Sequence, residues 1–184
     1  MGSAEKAGPQ RIEFRIAELK DAPTLTTTRQ KVWDATYRGI YPDERIDDYA
    51  FSDHLARDEK RIADPRNKVW LALDGAACIG YLYIGPCSYG SYKDFELCLN
   101  SLYFMPPYQG MGLGRKAIEL TASECARRGY DKFFCGCNAH NHKARSFYEH
   151  MGGRLGQESL GHSSKAEDQV YYEFYLNPQQ RRIP

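Results

Sequence analysis

Residues 109–114, Gln109-Gly110-Met111-Gly112-Leu113-Gly114, hold the spacing most suited to chemistry. They close an apolar run, Leu102-Tyr103-Phe104-Met105, and open a helix-patterned segment that starts with Arg115-Lys116. A strand, a glycine-rich turn and a basic helix start together make a phosphate holder. Glycines let main-chain N–H groups crowd round an anion, the helix dipole adds partial positive charge, and Arg115 adds a full one. Two common phosphate loops are excluded. In a G-x-G-x-x-G fingerprint counted from Gly110 the third glycine falls on Arg115, and a Walker A loop needs a Gly-Lys-Ser/Thr triplet that is absent. Taken alone, such a turn is equally well just a turn.

A second block lies downstream, Asn141-His142-Lys143-Ala144-Arg145-Ser146-Phe147-Tyr148-Glu149-His150-Met151-Gly152-Gly153. On a helix, Ala144, Phe147, Tyr148 and Met151 fall at i, i+3, i+4 and i+7 and form one apolar face. Asn141 stands where an N-cap is wanted and Gly152 where a C-cap is wanted. By itself this is a short capped core helix. The two blocks together, Q-x-x-G-x-G and N-x-x-A-x-x-F-Y-x-x-x-G, resemble the GNAT superfamily of N-acetyltransferases in order and separation. The resemblance extends over about residues 11–176.

That resemblance implies acetyl-CoA as acyl donor and a set of site residues. The Leu102 N–H would face the acetyl oxygen, and Phe104 and Met105 would lie along the pantetheine arm. Gln109, Gly110, Met111, Gly112, Leu113, Gly114 and Arg115 would cradle the pyrophosphate. Asn141 would touch the cofactor as well as capping its helix. These are largely main-chain contacts, so the side chains at 102, 104 and 111 are expected to pack in the core. Tyr148 is either core or the acid that protonates the departing thiolate. The base is less defined. Relatives place a glutamate eleven residues before the loop glutamine, and here that position is Cys98. Glu96, two residues earlier and so on the same face of a strand, is the carboxylate candidate. Tyr103, Asn100 and His162 are weaker ones, and water can take the proton instead.

The elements that must position these groups follow from pattern. Residues 11–17 alternate as a half-buried first strand, and 21–38 read as a helix with Leu25, Val32 and Trp33 as anchors. Residues 43–63 read as one charged surface helix. Residues 69–73 and 77–84 form a hairpin round Asp74-Gly75, 85–93 a loop, and 95–105 a long strand. Then come a helix over 112–128 ended by Gly129, a strand over 132–137, a helix over 141–150, and strands over 154–160 and 170–176. This order gives one α/β domain over residues 11–184, with a central mixed, mostly antiparallel sheet flanked by helices. Residues 1–10 read as a disordered tail or a cloning remnant.

At 184 residues and net charge +1 the chain suits one domain without a dedicated nucleic-acid surface. It has no apolar run of membrane length and opens with no signal-peptide pattern. The expected setting is cytoplasmic, as a monomer or homodimer. Cys135-Gly136-Cys137 lacks a second Cys/His pair at zinc spacing, so no metal is expected, and the six cysteines read as reduced thiols. Tyr37, Tyr41, Tyr89, Tyr92 and Tyr103 suggest an aromatic mouth for a small molecule, and Asp43, Glu44, Asp47 and Asp48 put negative charge near it. The expected acceptor is a small-molecule primary amine, attacking directly in a ternary complex. The alternatives are acetylation of protein or peptide N-termini, and a catalytically silent acyl-CoA sensor.

Overall fold

The computed structural model describes residues 12–88, 90 and 92–180; the expected tail at 1–10 lies outside them. The elements are β1 (Glu13–Ile16), α1 (Ala22–Tyr37), α2 (Asp43–Asp47), α3 (Phe51–Ala63), β2 (Lys68–Asp74), β3 (Ala77–Gly85) and β4 (Cys98–Phe104). They continue with α4 (Leu113–Arg127), β5 (Lys132–Asn138), α5 (His142–His150), β6 (Arg154–Ser159) and β7 (Gln169–Tyr175). The strands form one sheet in the order β1-β2-β3-β4-β5-β7-β6. Only β4 and β5 run parallel; every other neighbouring pair is antiparallel. α4 supplies the crossover that a parallel pair requires.

Apolar side chains cover both faces of the sheet. On one face Leu82, Leu97, Leu99 and Phe133 pack with Ala117 and Cys125 of α4 and Tyr148 of α5. On the other, Val69, Leu71, Tyr81 and Tyr83 pack with Leu25 and Val32 of α1. A buried ion pair fastens α3 to α1: the Arg29 guanidinium donates to both carboxylate oxygens of Asp58, at 3.2 and 2.6 Å. Asp58 also accepts from Thr26 and Arg61, so this buried carboxylate is fully paired.

Two expected elements are shorter than their patterns. The segment 43–63 is two helices, because Tyr49 leaves the helical path to stack on His54 with ring centroids 3.9 Å apart. The long strand begins at Cys98, not 95. Phe95 instead closes a turn, its N–H donating to the Tyr92 carbonyl at 3.1 Å, and its ring is buried beside Phe134.

Candidate active site

A β-bulge sets the geometry of the site. Tyr83 of β3 stands opposite Ser101, but the next residue, Ile84, stands opposite Leu99, so Asn100 is an extra residue in β4. Its carboxamide fixes the bulge: Oδ1 accepts from the Ser88 N–H at 2.8 Å and Nδ2 donates to the Pro86 carbonyl at 3.0 Å. The extra residue shifts the alternation. Leu97 and Leu99 share a core with α4 and α5, and past the bulge Leu102 and Phe104 face that same side.

β4 and β5 separate at the same point. They pair only at Cys98 with Phe134 and at Leu99 with Cys135. The Met105 N–H donates to Ile79 of β3 at 2.8 Å, so the alternate residues Leu102 and Phe104 turn their main-chain groups away from β3, into the gap. The Phe104 carbonyl accepts there from Gln109 Nε2 at 2.8 Å. The Phe104 ring is packing: it lies over Gly80, where a Cβ would approach within 2.4 Å, and meets Phe14 edge-on. Leu102 and Met105 are half-buried, Met105 packing on the α1 side.

The glycine loop sits at the mouth of this gap. Gly110 and Gly112 have φ of +81° and +80°, the left-handed region that glycine adopts without cost, and beyond their own chain neighbours no described atom lies within 4 Å of where their Cβ would be. Gly112 caps α4 without a side chain, so the first-turn N–H groups of Leu113, Gly114 and Arg115 have no helical partner. Arg115 and Lys116 are exposed beside them. Open space, unused amides and positive charge fit a pyrophosphate. Leu113 is buried with Ala72 and Ile79, anchoring the loop. Gly114 serves packing, because a Cβ there would sit 2.5 Å from the Phe147 ring of α5. Met111 departs from expectation. Its side chain is 56% exposed, since the loop lifts it off the core.

α5 completes the site from the β5 side. Asn141 caps it as expected, its side chain accepting from the Ala144 N–H at 3.1 Å. Tyr148 is buried in the main core beside Tyr172 and Phe174. Burial pushes the Cys135 thiol well above its ordinary range, and a hydrogen bond with the Tyr148 side chain partly opposes that. Tyr148 therefore stands next to the residue at which β4 and β5 part company.

The base candidates are placed differently from their pattern. Glu96 lies before β4 and is exposed between buried Phe95 and Leu97, so it does not share a strand face with the site. Cys98 is buried among Tyr92, Phe95 and Phe134. Tyr103 is held 2.6 Å from the Tyr37 hydroxyl, and burial pushes both phenols far above their ordinary range, keeping them protonated. Asn100 is committed to the bulge. His162 is exposed, its Nδ1 2.9 Å from Asp168 Oδ1.

Of the expected aromatic mouth, Tyr37, Tyr41 and Tyr103 do gather. Tyr37 stacks on Tyr41 at 4.4 Å, and Trp33 meets both edge-on. The Trp33 indole nitrogen is buried with no hydrogen-bond partner among the described residues. Tyr92 is elsewhere, bonded to Glu173 and stacked on Phe134, and Tyr89 lies outside the described residues. The acidic run is partly neutralised, since Arg38 pairs with Asp34, Asp43 and Asp47. No group of three His, Cys, Asp or Glu side chains among the described residues could hold a metal, and no described helix is long and apolar enough to cross a membrane.

Pattern reading includes Gln109 and Asn100 among the candidates but does not show the bulge at Asn100, the Gln109 side-chain bond to Phe104 or the contact of Lys143 with Gln109. Lys143 was findable, because it lies four residues before Phe147 and so on the helix stripe that faces the loop.

Comparison with known proteins bears on the fold and the family. The chain is 31% identical over 88 residues to mouse thialysine N-epsilon-acetyltransferase, a segment that covers 47% of this chain and 51% of the relative. The chain thus matches about half of that relative's length. Among solved structures, PaiA N-acetyltransferase from Thermoplasma acidophilum, in complex with coenzyme A, superposes with a TM-score of 0.70 at 20% identity. That alignment covers 90% of this chain and 99% of that one. An acetyltransferase from Thermus thermophilus gives 0.67 at 23% identity, covering 91% and 99%. Likeness at these identities speaks for the fold. The profile of the Acetyltransferase (GNAT) family matches residues 29–153, more than half of the chain and both sides of the β4/β5 gap, and the chain belongs to that family.

Proposed function

We propose that this chain transfers an acetyl group from acetyl-CoA to the primary amine of a small molecule, by direct attack with both reactants bound. Membership of an acetyltransferase family supports acetyl-CoA as acyl donor. The observation that carries the site assignment is the convergence, at one mouth, of an open β4 edge and a left-handed glycine cradle.

Bound acetyl-CoA supplies an acyl group on a thioester, which an unprotonated amine can take with a thiol as leaving group. The residues here have four tasks. Main-chain N–H groups at 110–115, with the Arg115 side chain, hold the pyrophosphate. The edge of β4 at Phe104, with Asn141 opposite, holds the pantetheine arm; Met105, bonded to Ile79 and packed toward α1, braces that edge from behind. The Leu102 N–H points into the gap as a donor for the acyl oxygen, a fixed dipole that needs no reorganisation as charge develops. The Tyr148 hydroxyl gives its proton to the thiolate. The amine's own proton leaves to water, with Glu96 as a carboxylate reached through solvent. A small acceptor is supported by the Trp33, Tyr37, Tyr41 and Tyr103 cluster and by the name of the mouse relative, which places acetylation at the ε-nitrogen of thialysine.

A silent acyl-CoA sensor is the second reading. It is favoured by the bond between Tyr148 and Cys135 and by the exposed position of Glu96. Thiol release measured across a panel of amines separates the two: turnover with any amine supports the enzyme, and cofactor binding without turnover supports the sensor. The loop assignment has its own test in Gly112→Glu, which should abolish coenzyme A binding by filling the cradle and adding repulsive charge. A side chain at φ +80° costs about 1–2 kcal/mol, so circular dichroism must show the variant folded. Undiminished affinity in a folded variant rejects the assignment.

A further inference from the structure

We propose that Lys143 binds the phosphates of coenzyme A, and that in the free protein it is parked on Gln109 as the outer end of a latch across the cofactor mouth. The inference rests on the reading of the glycine loop given above and adds a residue and a movement to it.

The latch is a chain of three groups. Gln109 Nε2 donates to the Phe104 carbonyl at 2.8 Å, and Gln109 Oε1 accepts from the Lys143 ammonium. The inner contact fills the hydrogen-bonding position that a ligand needs. The Phe104 carbonyl points into the gap that β5 has left, and an open strand edge there pairs with amide N–H groups. The pantetheine arm carries such amides. In the free protein the Gln109 carboxamide, itself a primary amide, stands in for one.

The outer contact keeps a cation at the loop. α5 packs on the start of α4 through the Phe147 ring over Gly114. Lys143, one helical turn earlier on the same stripe, meets Gln109, the first residue of the glycine motif. Neighbouring cations are already paired with carboxylates, Lys116 with Glu119 and Arg145 with Glu158. Among the described residues neither Arg115 nor Lys143 has a carboxylate at ion-pair distance, and the partner of Lys143 is a neutral amide oxygen. A phosphate oxygen is a stronger acceptor for an ammonium than a carboxamide is, because the hydrogen bond becomes charge-assisted on both sides. Cofactor loading thus exchanges both contacts of Gln109: an arm amide replaces it at Phe104, and phosphate replaces it at Lys143.

The test is binding by the full chain, with no turnover involved. Coenzyme A is titrated calorimetrically at low and high salt, and pantetheine, which lacks the phosphates, is titrated by NMR at millimolar concentration. Lys143→Met should weaken coenzyme A about tenfold, the scale of one charge-assisted hydrogen bond, and flatten its salt dependence. It should leave pantetheine binding unchanged, and Lys143→Arg should restore most of the loss. Gln109→Ala should strengthen pantetheine binding, since the stand-in amide is gone. Wild-type coenzyme A affinity in Lys143→Met would overturn the proposal, as would an equal loss for coenzyme A and pantetheine, which marks Lys143 as a brace. Weaker pantetheine binding in Gln109→Ala would overturn the latch. A wild-type chain that binds no coenzyme A at all would overturn the reading of the loop itself, and the latch with it.

Discussion

The proposed roles of Tyr148 and Glu96 are the ones single substitutions test most directly. Tyr148→Phe keeps the ring that fills the core beside Tyr172 and Phe174, and removes only the hydroxyl. The Cys135 thiol then loses one partner but keeps its contact with the Tyr172 main chain, so unfolding free energy should fall by no more than about 1.5 kcal/mol. If the hydroxyl protonates the departing thiolate, kcat should fall about 10–100-fold while KM for acetyl-CoA changes little. Unchanged kcat with chemistry rate-limiting would leave Tyr148 as core alone. For Glu96, the exposed position outside β4 makes a small effect the expected one. Glu96→Gln should lower turnover less than about threefold near neutral pH, the deficit vanishing as pH nears the amine's own pKa. A large deficit there, closing at high pH, would bring Glu96 back as a direct base.

At the scale of elements, the α4 and α5 contact decides whether loop and tyrosine face one gap. Gly114 is the point of closest approach, and Gly114→Ala would drive a Cβ into the Phe147 ring at 2.5 Å. Backbone φ is not the obstacle there, so the cost is overpacking, about 1–3 kcal/mol. Melting temperature should fall, and the double variant Gly114→Ala, Phe147→Leu should recover part of it by making room. A single variant as stable as wild type would show that α5 yields freely. The two motifs were legible in the sequence because each marks a main-chain requirement: left-handed glycines, a capping asparagine, an apolar stripe of period 3.6. Their mutual contact was not, since nothing in either block says which ring will lie over which glycine.

For the molecule as a whole, Asp168 joins the last strand pair to the end of β5. Its carboxylate is bonded to His140 Nε2 at 2.8 Å and His162 Nδ1 at 2.9 Å, and accepts from the His162 main chain. These bonds hold its pKa at about 2, below the ordinary 3.8. A depressed carboxylate stabilises the fold above the unfolded-state pKa and loses that contribution as pH falls through the folded one. The stability gap between wild type and Asp168→Asn should therefore be full at pH 5 and shrink between about pH 4 and pH 2. Urea midpoints along that series measure it, and a gap unchanged at pH 2 would remove Asp168 from acid stability.

The sequence alone determined the family, the order of the elements and the glycine turn that opens α4. Those properties depend on short-range spacing: glycine position, capping, and the period of apolar residues. It also overran β4 at its start and joined α2 to α3, because periodicity does not register where a ring such as Phe95 or Tyr49 finds a better partner off the regular path. The tertiary structure alone decided the rest. The extra residue Asn100 moves Leu102 and Phe104 onto the side that α4 and α5 cover, and that phase shift exists only relative to β3. Glu96 faces solvent because Phe95 and Leu97 on either side of it are buried. The meeting of Phe104, Gln109 and Lys143 depends on three elements packing at once, which local pattern cannot encode.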